Sequence, residues 1–464
     1  MTQASESGIG TLPDACGCGG ASGGSNCAPS GEGEREQVLS DHEKYVFSSI
    51  RPYYEEPIVA DEGQGVYLRD INGREYLDFF AGILTTSVGH SHPEVVERVR
   101  EQVGRLGHTS TLYLTEQHGT AAKKLAGIAP GGLTKTFFTN SGSEAIETAI
   151  MAARHYTGRD EVVALRYGYS GRGAMGAALT AQASWRPLTT GVTGVVHAMG
   201  PYPYRSPFGE LPEEELAERF AADLEEVILT TTSGRPAALL AETIQGVAGC
   251  ILPPRGYFQR AAEIIRRYGG VLIIDEVQSG FGRTGNHWFG IEHWGVEPDI
   301  MVMAKGIASG YPVGATIARA EIADAWRGKT ISTFGGNAIS MAAMNATLDV
   351  MIREDVPARS AVRGAQLRAG LDRLAERYHW IGNVRGLGLM QGMELVEDRA
   401  SKEPSPRRAT ALLEACREEG LLVGLGGLRG QVMRFGPSML VTREEVDEAL
   451  ARLGRACEVV EAKG

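Results

Sequence analysis

The sequence predicts an α/β fold with a mostly parallel β-sheet covered by helices, and a second, smaller α/β domain. Two observations support this prediction. Between about residues 81 and 336, short apolar runs alternate with amphipathic segments, a pattern typical of parallel sheets with helices on both faces. After residue 337, a long helical stretch at 338–351 leads into a separate series of strand and helix patterns.

The strands of the larger domain are predicted from short apolar runs rather than from alternation. Such runs are typical of strands that are buried on both faces. The segment 257–268 carries apolar residues at helical spacing and predicts a covering helix. The predicted strands are 136–139, 162–165, 237–241, 271–274 and 300–304.

Residues 1–36 are rich in Gly and Ser and poor in large apolar residues, so we predict a disordered tail. Three cysteines lie in it, Cys16, Cys18 and Cys27. A metal site usually needs a fourth ligand at a recognisable spacing, and we therefore expect no metal site there.

The remaining chain is expected to divide into three parts. Residues 37–80 form an N-terminal segment that joins the smaller domain, and 65–78 predict a β-hairpin with Asn72-Gly73 as its turn. Residues 81–336 form the larger domain. Residues 337–464 form the interdomain helix and the rest of the smaller domain.

A helix is expected to begin at Pro93, directly after His92, since proline is favoured at the first helical position. Val95, Val96 and Val99 would give this helix its apolar face. We therefore interpret His92 as a residue that precedes a helix rather than as a metal ligand.

Composition and charge exclude several classes of function. The 464 residues carry a formal charge of -11, with no basic run, so we expect no nucleic-acid partner. No apolar run approaches the length of a bilayer span, and we expect no membrane association. The first residues lack an apolar signal core and an arginine bias, which predicts a cytoplasmic protein.

The strand predicted at 300–304 ends in Lys305, which Gly306 follows. Desolvation disfavours an ammonium group, so a lysine at a buried strand end is biased towards its neutral, nucleophilic form. Such an amine can form a Schiff base with an aldehyde. On this stretch alone, a lysine that simply extends into solvent fits equally well.

Other strand ends carry polar chemistry that would meet at the same edge of a parallel sheet. After 136–139, Ser141, Gly142 and Ser143 lead into a helix start, which suits a phosphate, although Ser141 with Glu144 also forms a capping box. After 162–165, Tyr169 offers an aromatic face. A turn would explain the glycines of that segment equally well.

The strand at 271–274 ends in Asp275, a carboxylate that needs a cation if it is buried. A protonated ring nitrogen would serve. An aldehyde-reactive amine, a phosphate cup, a stacking ring and a carboxylate for a pyridinium together indicate pyridoxal 5'-phosphate.

Residues 280–285 (GFGRTG) match a dinucleotide-binding pattern and offer the alternative of an NAD-dependent oxidoreductase. That fingerprint requires glycines directly after a strand and at the start of a helix. Here five residues separate Ile274 from Gly280, and residues 286–290 do not predict a helix start.

Several motifs carry a resemblance to class III (ω-)aminotransferases, which are fold-type I pyridoxal-phosphate enzymes. The resemblance extends from about Tyr53 to the C terminus. The motifs are 140–145 (NSGSEA), 275–285 (DEVQSGFGRTG), 305–306 (KG), 333–337 (TFGGN), 384–390 (VRGLGLM) and 434–437 (RFGP).

The resemblance implies a large domain with a seven-stranded, mostly parallel sheet, and it implies roles for individual residues. Lys305 would bind the cofactor covalently and move the proton, and Asp275 would pair with the ring nitrogen. Thr333 would complete the phosphate site of a neighbouring subunit, so a homodimer or higher homo-oligomer is expected. The remaining cofactor contacts implied are Ser141, Gly142, Ser143, Tyr169, Glu242, Val277 and Gln278.

Departures from the family pattern bear on the substrate. The resemblance assigns the α-carboxylate to Arg434, which relatives pair with a glutamate; here Val247 stands at that position. A buried, unpaired guanidinium is costly, so Arg434 should be held by a substrate carboxylate or by water. Arg172 is a candidate for a distal carboxylate or for a structural ion pair. Ser170 and Thr243, which replace histidine and proline, are expected at the pocket wall.

These observations predict a transaminase that moves an amino group from an amino acid or ω-amino acid to pyruvate, glyoxylate or 2-oxoglutarate by a ping-pong mechanism. Two alternatives stay open. One is a decarboxylase or aminomutase on the same fold, and the other is a non-catalytic homologue that acts as a partner protein.

Overall fold

The computed structural model describes residues 31–186 and 191–463. Cys16, Cys18, Cys27 and most of the predicted tail lie outside these residues. Residues 31–36, which we predicted to be disordered, belong instead to helix α1, whose acidic first turn complements the positive end of the helix dipole. One compact unit ends at Arg51 and a second begins at Pro52.

The helices vary from single turns to more than five turns. They are α1 (Gly31–Tyr45), α2 (Ala81–Leu84), α3 (Pro93–Arg105), α4 (Glu116–Ile128), α5 (Gly142–Thr157), α6 (Ala174–Leu179), α7 (Glu213–Thr231), α8 (Tyr257–Arg267), α9 (Ala320–Ala325), α10 (Ala338–Arg353), α11 (Val356–Arg377), α12 (Pro406–Glu418) and α13 (Arg443–Ala462). In the described residues, no helix combines the length and the apolar composition that crossing a membrane would require.

The strands are short. They are β1 (Ala60–Gln64), β2 (Tyr67–Asp70), β3 (Glu75–Asp78), β4 (Leu133–Thr139), β5 (Val162–Leu165), β6 (Val195–Ala198), β7 (Ala238–Glu242), β8 (Val271–Asp275), β9 (Ile300–Met303), β10 (Gly314–Arg319), β11 (Ile381–Leu387), β12 (Met390–Leu395), β13 (Leu421–Leu422), β14 (Gly424–Gly426) and β15 (Val432–Phe435).

A seven-stranded sheet with the order β4-β10-β9-β8-β7-β5-β6 forms the centre of the second unit. Strands β6, β5, β7, β8 and β9 run parallel to one another, whereas β10 runs antiparallel to both of its neighbours, β4 and β9. The prediction of a mostly parallel sheet is therefore confirmed. The five predicted strands correspond to β4, β5, β7, β8 and β9, with ends that differ by at most three residues.

The helices around the sheet bury one apolar face each. In α8, which confirms the helix predicted at 257–268, the buried residues are Tyr257, Phe258, Ala261, Ala262, Ile264 and Ile265. Their spacing of three and four residues places them on one side of the helix. Helix α3 begins at Pro93 with His92 as its N-cap, as predicted, and buries Val95.

The second unit also contains two smaller, four-stranded sheets. The hairpin predicted at 65–78 is present as β2 and β3, and β3 pairs in parallel with β13 near the C terminus. A separate sheet with the order β11-β12-β15-β14 carries Arg434 on β15. The domain boundaries proposed from the sequence, at 80/81 and 336/337, stay a prediction.

The carboxyl ends of the central parallel strands place polar side chains at one edge of the sheet. Glu242 ends β7 and Asp275 ends β8, while Lys305 lies two residues beyond β9. Parallel strands present their carboxyl ends on the same side, so this edge is where a ligand is expected.

Candidate active site

A cavity of about 170 Å³ lies at this edge of the sheet. It contains every cofactor contact predicted from the sequence except Thr333, together with Ile146, Ser170, Gly171 and Ala304. The predicted residues that line it are Ser141, Gly142, Ser143, Tyr169, Glu242, Asp275, Val277, Gln278 and Lys305.

Lys305 combines an unusual backbone conformation with a buried amine. It follows the buried strand β9, and its backbone is in the left-handed region with φ of 47°. Such a conformation is costly for a residue with a side chain and is found most often at functional sites. Burial lowers the pKa of the Lys305 amine to about 8, although the nearby Asp275 carboxylate acts in the opposite direction. A substantial fraction of the amine is therefore neutral and nucleophilic near neutral pH.

Asp275 and Glu242 place two buried carboxylates side by side. Glu242 accepts hydrogen bonds from the backbone N–H groups of Tyr169 (2.9 Å) and Gly246 (2.8 Å). Asp275 accepts one from the N–H of Val277 (2.9 Å). Burial, reinforced by the charge of Glu242, raises the pKa of the Asp275 carboxyl to about 7. A cationic ligand beside Asp275 would favour its ionised form.

The N terminus of α5 forms the anion-binding end of the cavity. Ser141 caps the helix, since its Oγ accepts a hydrogen bond from the N–H of Glu144 (3.3 Å). Ser143 Oγ accepts one from the backbone N–H of Arg172 (3.3 Å). The first N–H groups of a helix and its dipole favour a phosphate at this position.

Gly142 lies against Val277 and Ala304 in the cavity lining. A Cβ atom at this position would lie 3.4 Å from a methyl group of Val277 and 3.4 Å from the Cβ of Ala304. Val277 and Tyr169 both line the cavity, and the ring of Tyr169 meets that of Trp185 edge-on at 5.7 Å. Burial raises the pKa of the Tyr169 hydroxyl, so Tyr169 is neutral.

Arg434 is buried on β15, where its hydrogen-bond partners are uncharged, although the Glu242 carboxylate is close enough to interact with its charge. Its Nη2 donates to Gln278 Oε1 (2.5 Å), and its guanidinium lies 5.4 Å from the ring centre of Phe80. The thiol of Cys250 is within hydrogen-bonding reach. Among the described residues, no carboxylate forms an ion pair with Arg434, and its Nε has no hydrogen-bond partner. The expectation that a substrate carboxylate or water holds Arg434 stays a prediction.

Phe80 was not identified from the sequence. It is followed by α2, a left-handed turn in which Ala81, Ile83 and Leu84 have positive φ angles. Asp78 holds the start of this turn, because its Oδ1 accepts hydrogen bonds from the N–H groups of Phe80 (2.9 Å) and Ala81 (2.8 Å). No local sequence signal marks four consecutive left-handed positions, because Gly82 is the only one of the four residues that adopts this conformation readily.

Four predicted residues lie outside the cavity lining. Arg434 is buried and contacts the lining residue Gln278, the side chains of Arg172 and Thr333 are exposed, and Val247 is buried. The carbonyl oxygen of Val247 accepts a hydrogen bond from Gly427 (2.9 Å), in the segment that leads to β15. The roles assigned to these residues stay predictions.

The expectation that Thr243 touches the pocket wall is wrong. Its hydroxyl donates to Glu276 Oε1 (2.7 Å), and Glu276 is fully buried with further hydrogen bonds from Ser279, Gly290 and Ile291. This carboxylate supports the loop after β8 and faces away from the cavity lining. Ser170 does line the cavity.

The donor set fits pyridoxal 5'-phosphate. It combines a helix N terminus and hydroxyls for a phosphate, a buried carboxylate for a protonated ring nitrogen and an amine of lowered pKa for an aldehyde. The dinucleotide pattern at 280–285 fits less well, because the next helical element is the short 3₁₀ turn Gly290–Trp294.

Comparison with known proteins identifies related sequences over most of the chain. The family profile described as "Aminotransferase class-III" matches residues 50–457. The chain is 41% identical over 411 residues to alanine–glyoxylate aminotransferase 2 homolog 2, mitochondrial, from Arabidopsis thaliana, which covers 88% of this chain and 85% of the relative. It is 34% identical to an acetylornithine aminotransferase from Methanothermobacter thermautotrophicus, which covers 91% of this chain and 98% of the relative.

Solved structures agree with this result. The crystal structure of an amine transaminase from an uncultivated Pseudomonas species, in its PLP-bound form, superposes with a TM-score of 0.84 at 32% sequence identity. The superposition covers 90% of this chain and 98% of that one.

Proposed function

Because this chain belongs to the class III aminotransferases, which use pyridoxal 5'-phosphate, we propose that it transfers an amino group to a small 2-oxo acid such as pyruvate or glyoxylate. The donor would be an amino acid or ω-amino acid, and the reaction would be ping-pong. The observation that carries the proposal is the buried Arg434, which has no carboxylate partner among the described residues.

The residues of the cavity divide the chemical tasks. When bound, the cofactor supplies a ring that accepts electrons and so acidifies the Cα–H bond of the amino donor. Lys305 Nζ takes that proton as a general base and later returns a proton as a general acid. Asp275 in its ionised form balances the positive charge on the ring nitrogen. Tyr169 and Val277 restrict the ring between two walls, and the start of α5 binds the phosphate.

Arg434 would bind the α-carboxylate of the substrate. Its hydrogen bond goes to the amide of Gln278 rather than to a carboxylate, so a carboxylate that enters the site can gain a charge-assisted bidentate contact. The same arginine would serve both half-reactions, because both the amino acid and the 2-oxo acid carry this carboxylate. The side chain of Arg172 is exposed, whereas that of Arg434 is buried, and this difference favours pyruvate and glyoxylate over 2-oxoglutarate, which carries a second carboxylate.

The active unit would be a homodimer or a higher homo-oligomer. Thr333 lies in an exposed loop between two exposed apolar side chains, Ile331 and Phe334. Leu112, Tyr113 and Leu114 are also largely exposed, and apolar surface of this kind is typical of protein interfaces. In our proposal, Thr333 completes the phosphate site of the neighbouring subunit. The cytoplasmic location stays a prediction, since the Arabidopsis relative is named as a mitochondrial protein.

The Val247→Glu variant tests the substrate assignment. An introduced carboxylate beside Arg434 would pair with it and compete with the substrate, so we expect KM for pyruvate and glyoxylate to rise about tenfold or more, equivalent to about 1.4 kcal/mol. The Val247→Gln variant, which adds similar bulk without charge, should change KM much less. Unchanged kinetics with both oxo acids in Val247→Glu would contradict the assignment.

A further inference from the structure

The partners of Arg434 are unusual for a buried guanidinium. Gln278 Oε1 accepts its Nη2–H at 2.5 Å, the ring of Phe80 lies 5.4 Å from it, and Cys250 contributes a thiol. Buried guanidinium groups are normally paired with carboxylates. Here the amide of Gln278 occupies the place of that carboxylate.

Glycines on both sides leave room for this hydrogen bond. A Cβ atom at Gly246 would lie 2.5 Å from Gln278 Oε1, and one at Gly426 would lie 2.5 Å from Cδ of Arg434. Side chains at these positions would displace one partner or the other. The contact between Gln278 and Arg434 is therefore built into the packing of two backbone segments that are distant in sequence.

An amide partner and a carboxylate partner have different consequences for a ligand. Breaking a buried ion pair costs more than breaking a hydrogen bond in which only one of the two groups is charged. When a substrate carboxylate displaces the amide oxygen of Gln278, Arg434 exchanges a neutral acceptor for a charged one. If a carboxylate of the protein were already paired with Arg434, the substrate would have to displace it against the attraction between that carboxylate and the arginine.

We propose that Gln278 is an uncharged neighbour of Arg434, whose lack of negative charge leaves the guanidinium available to a substrate carboxylate. Gln278 is then a specificity-determining residue of the site, in addition to its expected contact with the cofactor. This inference rests on the proposed function, in which Arg434 binds the carboxylate of the substrate. It predicts that a negative charge at position 278 blocks carboxylate binding, while loss of the amide alone does not.

Binding of propionate to the holoenzyme, measured by isothermal titration calorimetry, tests this role without turnover, because propionate has neither an amino nor an oxo group. In Gln278→Glu we expect Kd at pH 8 to rise at least tenfold. The effect should diminish at acidic pH, where the introduced carboxyl group becomes protonated. In Gln278→Met, which keeps the length of the side chain without charge, Kd should rise much less than in Gln278→Glu. The visible spectrum of the bound cofactor monitors whether each variant retains it.

Two results would overturn the inference. One is a Gln278→Glu variant that binds propionate as tightly as the parent at pH 8. The other is a Gln278→Met variant that loses binding as severely as Gln278→Glu, which would make the amide itself, rather than its lack of charge, the essential feature. If Val247→Glu weakens pyruvate while Gln278→Glu leaves propionate unaffected, only the role of Gln278 fails. If neither change has an effect, the assignment of Arg434 fails as well.

Discussion

Glu242 and Asp275 are paired in register at the ends of β7 and β8, and both carboxylates are buried. Two adjacent buried carboxylates repel each other unless the charges are compensated. Glu242 receives two backbone hydrogen bonds, whereas Asp275 receives one from Val277. This difference leaves Asp275 as the carboxylate available to a cationic ring nitrogen.

The Asp275→Asn variant should change how the stability of the apoenzyme depends on pH. The pKa of Asp275 is about 7 in the folded protein, against an ordinary value of about 4, so between these pH values the folded state holds a proton that the unfolded chain has released. The contribution of Asp275 to stability therefore falls as pH rises through this window. The midpoint of thermal unfolding should therefore fall between pH 5 and pH 7.5, and this fall should be larger in the apo parent than in apo Asp275→Asn. Parallel pH profiles would contradict the account.

Cofactor binding should reverse this effect in the parent. A protonated ring nitrogen pairs with ionised Asp275, so the gain in melting temperature on adding pyridoxal 5'-phosphate should be larger for the parent than for Asp275→Asn at pH 7.5. Loss of the charged partner of a buried cation costs about 3–5 kcal/mol, which corresponds to weaker cofactor binding by about two to four orders of magnitude. Equal gains in melting temperature in both proteins would contradict the pairing of Asp275 with the cofactor.

The rate at which the cofactor attaches to the apoenzyme should report the lowered pKa of Lys305. Only the neutral amine attacks an aldehyde, and its pKa here is about 8. Stopped-flow absorbance should therefore find a rate that rises with pH and levels off above about pH 8. A rate that continues to rise towards pH 10 would indicate a lysine of ordinary pKa.

Glu394 should be a major determinant of stability outside the cavity. It is fully buried and accepts hydrogen bonds from Arg385 Nη1 (2.6 Å), Arg205 Nε (2.6 Å) and Gln431 Nε2 (3.2 Å). Glu394→Gln leaves two guanidinium groups without their shared carboxylate, and we expect a loss of about 3–5 kcal/mol in stability. The midpoint of thermal unfolding should fall clearly. Glu210→Gln is the matched control, because Glu210 lies at the surface and its pair with Lys402 contributes little. Equal midpoints for the two variants would contradict this expectation.

The sequence was sufficient to predict the elements that surround the cavity, because buried strands and strand-end polar residues leave strong local signals. The run 162–165 coincides with β5, and Lys305, Asp275 and Ser141 lie where the strand pattern placed them. The strands β6 and β10 were not predicted. The residues of β10 are largely small, and its antiparallel position between β4 and β9 is a property of the whole sheet.

The surroundings of Arg434 could not be predicted from local patterns. Its contact with Gln278 joins residues that are 156 positions apart, and Phe80 reaches it from the opposite end of the chain. The left-handed turn after Phe80 contradicts the local preferences of its non-glycine residues. Such contacts depend on tertiary packing. The single indication in the sequence was that valine, rather than glutamate, occupies position 247, so that no carboxylate there could pair with Arg434.

The central claim is that Lys305 holds the cofactor covalently, and reduction of the holoenzyme with borohydride tests it most directly. Borohydride fixes a cofactor–lysine linkage, so peptide mass spectrometry should find pyridoxyl-modified Lys305 in the parent and no modified peptide in Lys305→Ala, which should also lose at least about a thousandfold in transamination rate. Modification of a different lysine in the parent, or a Lys305→Ala variant with undiminished turnover, would contradict the account.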